Sequence, residues 1–291
     1  MTRPRLHVLF TMDCPPQGAR AEPPGPQNWD AGARAIDAFC TQLFDAGFAP
    51  TLFVTPEAAD AHAPLCDDYA GRGADVGLLI QPPALRGAGY RHYLGAYVGE
   101  QQREIVIESV RRFEAALGRR PRSVRSAMYS ASDETFAVLS EAGVRQTSLS
   151  SPGRRTPKFK AVWTGAETQP HFASRENRLV AGSLPLLEVP VTTDATQCRG
   201  GIAPDLAIEN GTVDRWHAQL IDGQLARQDG AMFPALCFAT SSRYAYHDPA
   251  TRFRQTLDGL LERLLRLDER YELVPATLAE TNAHFRHEGQ L

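Results

Sequence analysis

The chain has 291 residues, 43% of them hydrophobic, and a formal net charge of −3. That length can bury a sizeable core and suits one α/β barrel as well as two smaller domains. Lys and Arg total 31 against 34 Asp and Glu, a balance without the basic excess that nucleic-acid binding requires, and no stretch has the length and apolarity of a transmembrane helix.

Residues 6–10, L-H-V-L-F, form a short apolar run of buried-strand type, and Pro15 and Pro16 forbid its continuation because proline brings no ladder donor. The same opening is too short in its apolar part for a secretory signal and reads as strand. Asp13 is left at the carboxyl end, where α/β sheets and barrels gather their ligand-binding loops. An acid there is a candidate for chemistry, and the bland alternative is a turn cap. A loop rich in Pro and Gly over 17–28 should overhang the same mouth. Next come a helix over 31–46 with Asp30 as N-cap, a strand over 50–55, a helix opened by Thr55 and Pro56 that runs to about Gly71, and a strand over 74–80. Alternation of this kind means parallel strands joined by crossover helices.

Residues 81–98 read as a long loop at the mouth and carry His92. A helix over 99–117 stops at Gly118, a strand covers 123–128, and Ser132 caps a helix with Asp133 and Glu134 in its first turn. After a strand over 144–149 the pattern dissolves from 150 to 183, and a loop or insertion of that length is read as a lid, a binding loop or a homo-oligomer contact. A strand over 186–191 follows, with Glu188 on it and Asp194 at its exit, the latter better placed to face the mouth. A helix near 212–227, a strand over 233–239, a helix over 249–267 capped by Asp248, a strand over 271–274 and a short helix from Thr277 complete the chain. His284 and His287 form H-x-x-H in a polar tail and read as solvated. The sum is a single α/β domain over 1–291, an irregular (β/α) barrel of about seven strands, with a doubly wound open sheet as the alternative. Five cysteines, odd in number and without a C-x-x-C pair, suggest reduced thiols in a cytoplasmic protein.

Five stretches carry a resemblance. They are T-M-D-C-P at 11–15, G-L-L-I-Q-P-P at 77–83, G-R-R-P-R-S-V-R at 118–125, S-A-S-D-E-T-F-A-V-L-S-E-A-G-V at 130–144, and L-L-E-V-P-V at 186–191. Their order and spacing resemble the polysaccharide deacetylase family, also called carbohydrate esterase family four, over nearly the whole chain. The third stretch and the helix after it are the most specific part. The resemblance implies an irregular barrel and hydrolysis of an N-acyl bond. In typical members the first Asp of T-F-D-D-G is the general base, the second Asp and two histidines bind a divalent metal, and a late histidine is the general acid. Asp13 matches the base, but Cys14 stands where the second Asp belongs, Leu79 where the first histidine belongs, and Gln81 near the place of the second. The late strand ends C-F-A-T-S-S-R-Y without a histidine, and His247 comes only a few residues further. Leucine has no lone pair to donate to a metal.

The implied activity is therefore a deacetylase-like hydrolase of a C–N bond in a small or sugar-like substrate, independent of metal, with Asp13 as general base oriented by Arg125. For that pair a purely structural salt bridge is the equal alternative. Cys14, Gln81, His92, Tyr129, His171, Asp194, Tyr244 and His247 are the candidate substrate-binding residues. No cofactor is expected, nor a nucleic-acid or membrane partner, and 150–183 is the candidate homo-oligomer contact. Two other readings stay open: an inactive barrel whose mouth binds a ligand or partner, and a metal hydrolase with an altered ligand set.

Overall fold

The computed structural model describes residues 3–16, 29–228 and 230–288, so the loop expected over 17–28 lies outside the described residues. In chain order the elements are β1 (Arg5–Cys14), α1 (Trp29–Asp45), β2 (Thr51–Val54), α2 (Pro56–Ala61), α3 (Ala63–Gly71), β3 (Asp75–Ile80), α4 (Gly99–Leu117), β4 (Ser123–Ser126), α5 (Thr135–Glu141) and β5 (Gln146–Thr147). They continue with β6 (Arg155–Thr156), β7 (Ala161–Val162), β8 (His171–Phe172), β9 (Leu187–Glu188), α6 (Ala218–Arg227), β10 (Ala235–Ser241), α7 (Arg252–Leu267), β11 (Glu272–Pro275) and α8 (Leu278–Glu288).

One sheet runs in the order β10-β1-β2-β3-β4-β5-β9-β8, with β11 also paired to β1. Its pairings are parallel except for β8 with β9. β1 is central, bonded to β10 from His7 to Asp13 and to β2 from Thr11 to Cys14. It outlasts the apolar run because those later residues still have partners on both sides. The sheet curls, and the chain beyond β9 returns to β10: the Thr192 N–H donates to the Cys237 carbonyl at 3.1 Å, and Ala207 pairs with Ala239. The result is a single α/β layer structure, a deformed (β/α) barrel.

Strand alternation sorts β1 into two faces. Leu6, Val8, Phe10, Met12 and Cys14 point outward into the core shared with the helices, whereas Leu9 joins Phe53, Leu79, Leu187, Val189, Ala235 and Cys237 inside the barrel. Each large apolar side chain buried in these layers contributes roughly 1.5–3 kcal/mol. Asp13 belongs to the inward series and lies at its open end, so the barrel mouth is where it emerges.

Several local expectations change. The helix expected from Pro56 to Gly71 breaks into α2 and α3 at His62, because Pro64 in the first turn of α3 lacks the donor that a continuous helix needs. α5 starts at Thr135 rather than beside Ser132, and the Glu134 carboxylate instead accepts the Gly99 N–H at the start of α4. Thr251, not Asp248, caps α7 by accepting the Arg254 N–H, while Asp248 caps only the turn before it. Residues 150–183 hold the antiparallel β6–β7 hairpin and β8, pairings too short for a sequence pattern to reveal. His284 is not solvated as expected: its ring tilts against buried His7, with centroids 5.5 Å apart.

Candidate functional site

A cleft of about 330 Å³ opens at the carboxyl ends of β1, β3, β4 and β10. Asp13 lies at its floor. Gln81 enters from the exit of β3, Tyr129 from the turn after β4, and Ser241 and Tyr244 from the end of β10. Tyr93, Arg154, Glu209, Asn210, Thr240 and Arg243 complete its polar lining.

Arg125 fixes the floor. Its guanidinium Nη1 donates to Asp13 Oδ1 at 3.0 Å, Nη2 donates to Thr11 Oγ1 at 3.0 Å and to Ser148 Oγ at 2.7 Å, and Nε donates to the Ser148 carbonyl at 2.7 Å. The Phe53 ring lies 4.5 Å below its centre. A buried arginine needs this many acceptors, since an unpaired one would forfeit its hydration without return. Burial pushes the Asp13 carboxyl above the ordinary Asp range, and the charge of Arg125 opposes that shift. Burial alone would lower the Arg125 guanidinium, but the charge of Asp13, those of Tyr129 and Cys237 and the hydrogen bond to Asp13 together leave it raised, so it stays charged.

The turn after β4 carries two successive left-handed residues, Met128 at φ 59° and Tyr129 at φ 58°. Neither is glycine, and such backbone costs of order 1–3 kcal/mol per residue unless its surroundings hold it. The Trp163 indole N–H does so, donating to the Tyr129 carbonyl at 2.8 Å. Burial also raises the Tyr129 hydroxyl, which therefore remains a proton-bearing donor. Arg154 stacks over the Tyr129 ring at 4.6 Å and pairs with Asp205 at 3.7 Å. Gly153 delivers it: its φ is +82°, and a Cβ there would meet Ala203, Ala195 and Cys198 at 3.0–3.2 Å.

Glu209 lies on the 3-10 turn Ile208–Asn210, half-buried, and accepts from Thr240 Oγ1 at 3.0 Å. Burial, together with the charges of Asp205 and Asp13, pushes its carboxyl up to about 7. This acid and Arg154 were missed by sequence reasoning. Neither belongs to a motif, and both reach the cleft only because the segment after β9 folds back on β10.

Of the candidate residues, Asp13, Gln81, Tyr129 and Tyr244 line the cleft, and Arg125 lies directly behind Asp13. The others do not line it. Cys14 points to the opposite face of β1 among the helices, and burial raises its thiol well above the ordinary range. His92 is exposed beside Tyr97, and His247 is exposed beyond Tyr246. His171 lies on β8, its Nδ1 2.8 Å from the Gln169 carbonyl. Asp194 is a local cap, accepting from the Thr196 N–H at 3.1 Å and from Gln197 Nε2 at 2.8 Å. Glu188 is fully buried and holds the β5 exit, accepting from the Leu149 N–H at 2.9 Å, the Ser150 N–H at 2.8 Å, Ser150 Oγ at 2.8 Å and Thr147 Oγ1 at 2.6 Å.

The donors at the mouth do not fit a divalent metal. Cys14 faces away, Leu79 offers no lone pair, and among the described residues no three His, Cys, Asp or Glu side chains are gathered as a ligand set. All five cysteines are free, and only Cys198 is exposed. Among the described residues no helix is long and apolar enough to cross a membrane.

No family model matches the chain, and no curated protein matches its sequence. Solved structures do match its shape. A probable polysaccharide deacetylase from Pseudomonas aeruginosa PAO1 superimposes with a TM-score of 0.60 at 15% identity, over 98% of this chain and 92% of that one. PuuE allantoinase matches with a TM-score of 0.62 at 16% identity, over 97% and 90%. A candidate glycoside hydrolase/deacetylase from Parabacteroides distasonis matches with a TM-score of 0.68 at 13% identity, over 98% and 72%. At such identities the shared property is the fold. The chain therefore has the fold of the polysaccharide deacetylases, in a divergent form that agrees with the barrel its sequence motifs imply.

Proposed function

We propose that the cleft is the active site of a hydrolase that cleaves the C–N bond of an N-acyl group in a small or sugar-like molecule, without a metal. Asp13 is the general base. It takes a proton from water as the water oxygen attacks the acyl carbon, and Arg125 holds the carboxylate in line. A carboxylate raised by burial is a stronger base than an exposed one, which suits that role. The oxyanion then needs donors, and the Tyr129 hydroxyl and the Arg154 and Arg243 guanidiniums line the same cleft. The single observation that supports the reading is the Arg125–Asp13 pair, buried on one side and open to the cleft on the other. The names of the fold neighbours, deacetylase and allantoinase, supply the first probes.

The experiment is hydrolysis of soluble N-acetylglucosamine oligomers and of allantoin by wild type and Asp13→Asn, each with and without EDTA. The expected result is wild-type turnover indifferent to EDTA and a loss of roughly 10²- to 10⁴-fold in Asp13→Asn. Turnover that survives Asp13→Asn overturns the assignment, and turnover abolished by EDTA and restored by a divalent metal overturns its metal independence. Leu79, standing at a place where the family has a ligand, favours a second reading in which the cleft only binds. Calorimetric binding of the same probes with no product formed would select it.

A further inference from the structure

We propose that Glu209 is the second catalytic carboxyl of this cleft, the group that hands a proton to the departing nitrogen. The inference rests on the hydrolytic reading above and names the part that reading leaves open. Cleaving an amide releases an amine, which cannot leave as an anion, so the cleft must contain a proton donor as well as a base. Among the described residues no histidine lines it: His92, His171 and His247 lie elsewhere. Glu209 does line it, on a different wall from Asp13.

The backbone sets that placement. Ala207 pairs in parallel with Ala239, so Glu209, two residues on, comes beside Thr240 at the end of β10. Thr240 Oγ1 then donates to Glu209 Oε2 at 3.0 Å, and the hydroxyl of fully buried Tyr246 hydrogen-bonds to Thr240 Oγ1 in turn. Once Thr240 gives its proton to Glu209, Tyr246 is the donor in that second bond. The chain Tyr246–Thr240–Glu209 thus holds one carboxylate oxygen of a side chain that lines the cleft. The charges that face Glu209 are Asp205 four residues before it, Asp13 across the floor, and Arg154 and Arg243 on the lining, with the Tyr244 and Tyr246 hydroxyls beside it. Burial and the two aspartates keep its carboxyl protonated into the neutral range, where a proton donor is useful. Two carboxyls in one cleft are thereby separated in task, the one beside Arg125 placed to take a proton and the one beside Thr240 placed to give one.

The step balances. As the water oxygen bonds to the acyl carbon, Asp13 takes its proton and the carbonyl electrons move to the oxygen. The C–N bond then breaks with its electron pair going to nitrogen, which takes the Glu209 proton. An amide and water have become a carboxylic acid and an amine. Exchange of the Asp13 proton through solvent to Glu209 restores the resting state.

The test compares wild type, Glu209→Gln and Thr240→Val on the amide probes named above and on para-nitrophenyl acetate, whose leaving group needs no proton, from about pH 5 to about 9. The expected result for Glu209→Gln is a loss of roughly 100-fold or more in kcat/KM on the amide, against a few-fold on the ester, with the alkaline limb of the amide profile gone. Thr240→Val withdraws a hydrogen bond that favours the ionised carboxyl, so the alkaline limb moves to higher pH while the acidic limb stays. Equal losses on amide and ester, or an amide rate that Glu209→Gln leaves within a few-fold of wild type, overturn the assignment alone. A wild type inert on every amide overturns the hydrolytic reading and this inference with it.

Discussion

Arg125 and Asp13 are 112 residues apart in the chain, yet Nη1 and Oδ1 lie 3.0 Å apart, with the guanidinium side chain 1% exposed and the carboxylate side chain 22% exposed. The pair joins β4 to β1 across the inside of the barrel. Removing only the arginine strands Asp13 and leaves the Thr11 and Ser148 acceptors without their donor. Arg125→Met is expected to lower stability by about 3–5 kcal/mol, read as a lower urea midpoint, and the double variant Arg125→Met/Asp13→Asn should recover part of that loss. A single variant with an unshifted midpoint would show that the pair is peripheral to the fold.

Glu188 is expected to be structural. Glu188→Ala leaves the N–H groups of Leu149 and Ser150 buried without acceptors, each costing about 1–3 kcal/mol. Thermal unfolding and hydrogen exchange at these two amides should both report the loss. Retained protection there would refute the assignment.

His7 gives the fold an acid-sensitive base. Burial first, then the neighbouring charges of His284 and Arg5, lower its imidazole from 6.5 to about 3. The unfolded chain therefore takes up a proton near pH 6.5 that the folded chain refuses until about pH 3. Its contribution is complete above 6.5 and is lost as the pH falls toward 3. The gap corresponds to on the order of 5 kcal/mol. His7→Leu should flatten the dependence of the urea midpoint on pH across this interval, and a slope identical to wild type would sink the explanation.

Gly153 stands where the chain must adopt a left-handed turn at close quarters. Gly153→Ala should cost about 1–2 kcal/mol from backbone conformation alone, with contacts to Ala203, Ala195 and Cys198 adding to it. Because the next residue is Arg154, the same change should also raise KM for the probe that proves to be turned over. A variant with wild-type stability would mean that the turn relaxes easily.

Local periodicity was enough to read β1 and α4, because the apolar run of a strand and the 3.6-residue repeat of a helix are set by neighbours in the chain. Adjacent strand residues point to opposite faces, and Asp13 and Cys14 do so. Helix caps were less legible. Asp248 and Thr251 are both good cap residues, and the choice fell to the one whose side chain reached a free N–H of α7. His92 and His171 were candidates by residue type and His247 also by its nearness to the place of the family's late histidine, and nothing local says where a loop will point.

What the sequence determined by itself was the alternation of strand and helix, the parallel pairing that follows from it, and an acid at the end of the first strand with an arginine on the fourth. The resemblance already implied that Arg125 meets Asp13, and tertiary structure alone decided that Glu209 and Arg154 join them. The physical reason is that face and period are properties of adjacent residues, whereas the membership of a cleft depends on which distant strands pair. The return of Ala207 to Ala239, which carries Glu209 to Thr240, is written in no local pattern.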